Sequence, residues 1–151
     1  MEANLFGLKL ALLFFWAAWF SIVFLTNLFG GLKAVRILPQ SWKFSSRNYE
    51  AVQKAVAAYR APSWLPGLLF TGVIVWQLSA AALYAWAFAS SLNTGTLAGG
   101  LVNAAFALGL GLWAAFMIAD EITLKYEYER SHELLFIAQL VTLVALYVLP
   151  Q

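Results

Sequence analysis

The sequence predicts an all-α integral membrane protein: a four-helix bundle with a short cytoplasmic amphipathic helix between spans one and two. Three observations carry that prediction. Hydrophobic residues make up 63% of the 151-residue chain and charged residues 11%, against roughly 25% charged in an average soluble domain. A core of this size has no room for so much apolar side chain, so lipid must cover the rest. Four stretches approach or reach the roughly 20 apolar residues that a helix needs to cross a bilayer. The charges, finally, gather between those stretches rather than within them.

The elements follow in order within a single membrane domain. The first span covers residues 5–29 and is interrupted only by Lys9. It is too long for a signal peptide, follows Glu2 rather than a basic lead, and shows no convincing small-residue cleavage site before Lys33, so it is expected to remain as a span. Next comes a segment, 46–60, in which Tyr49, Val52, Val56 and Tyr59 recur at helical spacing with Ser46 as a candidate N-cap. The second span, 66–89, opens after Pro62 and Pro66. A short uncharged turn, 90–96, leads into the third span, 97–119, as a tight hairpin. The fourth, 131–149, has its apolar run from Leu134 and is expected to rise out of the headgroups from about Glu129 before Pro150 ends it.

Apart from Glu2 and Lys9, every charged residue falls in the 1–2 or the 3–4 connection, which four spans put on one face. The first connection holds Lys33, Arg36, Lys43, Arg47, Lys54 and Arg60 against Glu50. Lysine and arginine in short loops mark the cytoplasmic side, so both termini are expected outside. Lys9 then lies near the outer end of its span and is expected to snorkel to the interface. Arg47, Lys54 and Arg60 are the expected membrane-surface residues, facing anionic headgroups. The alternative is that their helix packs against the acidic 3–4 connection. A formal charge of +2 gives no basis for nucleic-acid binding, and the absence of cysteine excludes disulfides, thiolate metal sites and a cysteine nucleophile.

Thr26-Asn27 near the end of span one, the run Asn48-Tyr49-Glu50-Ala51-Val52-Gln53-Lys54, and Trp76-Gln77 in span two form a recognisable set. Together they resemble a bacterial family of predicted small integral membrane proteins of unknown function. The family pattern has four spans, an Asn-aromatic-x-x-Val-Gln segment, a Trp-Glu pair in the second span, and a Trp-rich third span before an acidic turn. Trp113, Phe116, Asp120 and Glu121 occupy that last position. Gln77 stands where the family tends to have glutamate, which weakens any intramembrane proton role there. The resemblance implies a bacterial inner-membrane protein and no particular activity.

The residues with most chemistry lie between Asp120 and Glu133, with five carboxylates and the only histidine. Glu129 and His132 form a Glu-x-x-His pair on one helical face, the spacing found in di-metal carboxylate bundles. Candidate metal ligands are therefore Glu121, Glu129, His132 and Glu133, and a full site would need a second chain. The alternative is a solvated turn held by pairs such as Glu121–Lys125 and Glu127–Arg130. Gln77, Asn103, Gln139 and Thr142 are expected to hydrogen-bond between helices. His132, Gln139 and Thr142 fall roughly on one stripe, which suits a quinone pocket, a proton path or packing. Gly100, Ala104, Ala107, Gly111 and Ala115 put small residues on one face of span three for close helix approach. The helix-packing set is thus Gly100, Ala104, Ala107 and Gly111, with Gln77 and Asn103. No charged side chain lies deep in a span, which argues against an ion-coupled transporter built from one chain.

Two functions from different classes fit. The first is a non-catalytic subunit or assembly partner of a larger membrane complex, such as a respiratory one, without a cofactor and with protein partners or further copies of itself in the bilayer. The second is a small metalloenzyme or quinone-linked redox protein centred on Glu129 and His132. A homo-oligomeric channel has less support, because no charged ring lies within the spans.

Overall fold

The computed structural model describes residues 5–124 and 126–150. Its helices are α1 (Phe6–Ala34), α2 (Asn48–Ala57), α3 (Leu65–Thr94), α4 (Gly99–Thr123) and α5 (Tyr126–Val148). All but α2 are long and apolar enough to cross a membrane, with mean hydropathy from 1.6 to 2.1 over their most apolar stretches. At 1.5 Å per residue, α1 and α3 each exceed the roughly 30 Å hydrocarbon layer by about two and a half turns, so their ends stand in the headgroup layers.

Local chemistry sets where each helix stops. α3 ends at Gly95, whose φ of 68° is left-handed and suits glycine. The Ser91 hydroxyl then accepts the Ala98 N–H at 3.0 Å and closes the hairpin to α4. α4 ends at Leu124 with a φ of 55°, and the Leu124 N–H turns back to the Asp120 and Glu121 carbonyls. α5 starts at Tyr126, ahead of residue 131 and of the expected start near Glu129, so much of the expected acidic turn is helical.

The α2 helix is shorter than the expected 46–60 at both ends. Ser46 is drawn towards α1, donating its N–H to the Thr26 carbonyl at 2.9 Å, so Arg47 takes the N-cap position. At the other end Arg60 adopts a φ of 52°, and Ala61, next before Pro62, is kept out of helical backbone by the proline ring.

The long helices pack as successive antiparallel neighbours: α1 on α3, α3 on α4 and α4 on α5. Asn27 meets Gln77 and Phe14 meets Phe88, which fixes the α1–α3 register. The core is aromatic. Phe20 stacks on Tyr84 at 5.4 Å, Tyr84 meets Phe106 edge-on at 5.0 Å, and Trp113 lies 5.8 Å from Phe20. Small residues at Ala80, Ala87 and Ala105 let the helices approach around this cluster. α5 is the least embedded, with Gln139 and Leu146 as its buried residues among those described.

Lys9 departs from the snorkelling expectation, for it is 2% exposed. It shares the inward face of α1 with Leu13, Trp16 and Phe20. The antiparallel register sets it level with the C-terminal end of α3, where the helix dipole carries partial negative charge.

Candidate functional site

Two polar clusters lie at the end of the bundle that carries the charged connections. The first is built on Asn27, which is 1% exposed in the last third of α1. Its Nδ2 donates to Gln77 Oε1 of α3 at 2.8 Å. Its Oδ1 accepts from the Ser46 hydroxyl at 2.6 Å and from Asn48 Nδ2 at 2.8 Å. One amide thus joins α1, the 35–47 connection, the start of α2 and the middle of α3. The Ser46 hydroxyl also accepts the Asn48 N–H at 3.3 Å. Gly30 permits this approach, because a Cβ there would lie 2.8 Å from the Ser46 carbonyl oxygen. Tyr49 packs on Phe70 at 5.3 Å, and Trp76 donates its indole N–H to the Leu108 carbonyl at 3.0 Å. Gly111 faces the Trp76 ring, 3.3 Å from where its Cβ would stand.

The pairs Thr26-Asn27, Asn48-Tyr49 and Trp76-Gln77, far apart in sequence, therefore form one interhelical clasp. Its acceptor in α3 is Gln77 Oε1, an atom that a glutamate would also present. Ser46 and Gly30 are the members that sequence reasoning missed. A serine and a glycine flanking a buried asparagine give no periodic signal.

The second cluster joins α4 to α5. Asp120, 7% exposed, brings Oδ2 to 2.6 Å from His132 Nδ1. The His132 ring is stacked with Trp113 at 6.3 Å and tilted against Phe116 at 4.9 Å. The break at Leu124 folds α5 back so that Asp120, rather than Glu129, takes the His132 nitrogen. Glu129 stands within electrostatic range of Glu121, Glu133 and Asp120, while Glu121 and Glu133 are exposed. Among the described residues no three histidine or carboxylate side chains converge as a metal site. The Glu121–Lys125 pair lies outside the described residues at Lys125.

The basic and acidic connections were expected to attract each other. Among the described residues no ion pair joins them, and the one ion-pair geometry is His132–Asp120. Their contact is instead a hydrogen bond from the Tyr59 hydroxyl to the Ile122 carbonyl. Arg47, Lys54 and Arg60 are all exposed.

Within the spans, Gln139 Nε2 donates to the Tyr84 hydroxyl at 3.0 Å and presses against Gly109. Among the described residues, Gln139 Oε1 and the indole nitrogens of Trp16, Trp19 and Trp113 meet no hydrogen-bond partner. Thr142 bonds back to the Ala138 carbonyl of its own helix at 2.7 Å. His132, Gln139 and Thr142 therefore serve three separate contacts and form no continuous polar path. Asn103 is exposed and accepts the Tyr147 hydroxyl at 2.7 Å. Of the small-residue face, Gly111 packs on Trp76 and Ala115 is half-buried, whereas Gly100, Ala104 and Ala107 are exposed. Comparison with protein-family models, with curated proteins and with solved structures finds no match.

Proposed function

We propose that this chain is a non-catalytic membrane subunit or assembly partner of a larger complex, docking through the outward face of α4. The observation that carries this reading is the exposure of Gly100, Ala104 and Ala107 on one side of a membrane-spanning helix. Small residues let a second helix backbone approach closely, which is the main source of helix association in lipid. The slight burial of α5 supports the same reading, since much of its apolar surface contributes nothing to the chain's own core. The polar clusters also support it, because their side chains are engaged with one another.

Ala104→Leu tests the docking face. Overpacking costs about 1–3 kcal/mol, so partner protein recovered with the chain in mild detergent should fall roughly tenfold. Thermal unfolding of the isolated chain should stay unchanged, because Ala104 is exposed. Wild-type chain that purifies alone, or a variant that keeps its partners in full, sinks the reading.

The same proposal places the charged connections on the cytoplasmic side of a bacterial inner membrane and both termini outside, supported by the excess of lysine and arginine in the 1–2 connection. Single cysteines at Ser41 and Asn93, both exposed, report this on intact cells with an impermeant thiol reagent. Labelling of Asn93→Cys alone is expected. Labelling of Ser41→Cys alone inverts the orientation.

A further inference from the structure

The C-terminal end of α1, the 35–47 connection and α2 together line a cavity of about 810 Å³. Its wall holds three cations, Lys33, Lys43 and Arg47, against the single carboxylate Glu50. None of the three forms an ion pair among the described residues. Lys33 is committed in part: Nζ donates to the Trp42 carbonyl at 2.9 Å and to the Ser45 hydroxyl at 3.2 Å. An ammonium has three N–H donors, so one remains. The wall is held in place before any ligand arrives. Trp42 N–H bonds to the Pro39 carbonyl, Ser45 N–H to the Lys43 carbonyl, and Ser46 N–H to the Thr26 carbonyl of α1.

The depth of the cavity follows from its aromatic edge. Trp42 and Phe44 meet Phe29 of α1 at 5.6 and 6.0 Å, and both are exposed. A tryptophan such as Trp42 at the end of a span settles at the level of the lipid headgroups. Three like charges around one preformed hollow repel one another until an anion enters. At that depth the abundant anion is a lipid phosphate. We propose that this cavity binds the phosphate of an anionic phospholipid headgroup, with Lys43, Arg47 and the free Lys33 N–H as donors. The site lies at the opposite end of the bundle from Gly100 and Ala104 and does not depend on a docking partner.

The full chain in mild detergent, mixed with phosphatidylglycerol or phosphatidylcholine, tests this by native mass spectrometry of retained lipid. Phosphatidylglycerol should be retained over phosphatidylcholine by the wild-type chain. Lys43→Gln with Arg47→Gln should weaken that retention by about 30-fold, from roughly a five-fold effect for each charge in direct contact with the headgroup. Lys54→Gln with Arg60→Gln removes the same charge outside the cavity and should leave retention within about threefold of wild type, since charges clear of the headgroup are screened. Equal losses in the two variants would mean diffuse surface attraction and overturn the site, as would equal retention of the two lipids. Inorganic phosphate that displaces the lipid at millimolar concentration would assign the cavity to a soluble phosphate and overturn the lipid. Ser41→Glu, which adds a carboxylate to the wall without touching Lys33 or Ser46, gives a second test should the double variant fold poorly. It should lower retention in the same direction, and unchanged retention counts against the proposal.

Discussion

Replacing Asn27 with leucine is expected to be the most damaging single change in the chain. It removes one donor and one doubly used acceptor, leaving Gln77 Oε1, the Ser46 hydroxyl and Asn48 Nδ2 without their partner. Gln77 is 1% exposed and has no water to turn to. A buried polar group left unpaired costs about 1–3 kcal/mol, although hydrogen bonds between helices in bilayers average nearer 0.6 kcal/mol. Ser46 and Asn48 stand close enough to water to recover part of the loss. A net destabilisation of about 2–3 kcal/mol is expected, read as a fall in thermal unfolding temperature in detergent. Proteolysis within residues 35–47 should accelerate in parallel, since the connection loses its anchor on α1. Gln77→Leu breaks a single bond and should cost less. Adding it to Asn27→Leu should cost little more, because the two residues act on the same bond. An Asn27→Leu protein that melts and digests like wild type would show that the connection is held by other contacts.

Gly109→Ala is expected to be the next most harmful. The new Cβ would stand 2.5 Å from Gln139 Nε2 and 2.6 Å from Oε1. Gln139 is 0% exposed and already bonded to the Tyr84 hydroxyl, so its amide can give way only by straining that bond. Overpacking of this kind costs about 1–3 kcal/mol, and here it pushes α5 away from α4. Gln139→Ala removes the colliding amide, so the double variant Gly109→Ala/Gln139→Ala should be more stable than the sum of the single losses implies. Unfolding in detergent measures all three proteins. Strict additivity would mean that Gln139 moves aside freely, and that α5 is held by something other than this contact.

The spans were legible because hydropathy and length alone decide them in lipid. What hydropathy does not see is the ends. Ser46 reads as a cap, and its hydroxyl does accept the Asn48 N–H, but it also donates to Asn27 and the N-cap position falls to Arg47. Leu124 carries no mark of a left-handed residue, since such a break favours glycine. With the break hidden, Asp120 and His132 looked like opposite ends of one acidic turn. Counting three residues along a helix pointed instead to Glu129. The burial of Lys9 was hidden for a related reason: depth along a span is readable, but which face turns inward is not when every face is apolar. Asn27 and Gln77 were the recoverable part. In an antiparallel hairpin of spans one and two they fall at matching depth, as two uncharged amides near one end. Gly100, Ala104 and Ala107 were legible as small residues on one face of α4. That this face points away from α3 and α5 needed the structure.

The clasp around Asn27 also orders events in time. A chain made from its N-terminus presents α1 first, then Ser46 and Asn48, and only afterwards Gln77. The two bonds to the Asn27 carbonyl oxygen come within reach while α3 is still being synthesised. What then remains at membrane depth is an amide nitrogen with an unmet bond, which lipid cannot satisfy. Gln77 meets it only when α3 enters beside α1 in the native register. A hairpin inserted one turn too high or too low leaves Asn27 Nδ2 and Gln77 Oε1 without each other. The asparagine thus favours the native register over misaligned pairings that the apolar surfaces of α1 and α3 would otherwise tolerate.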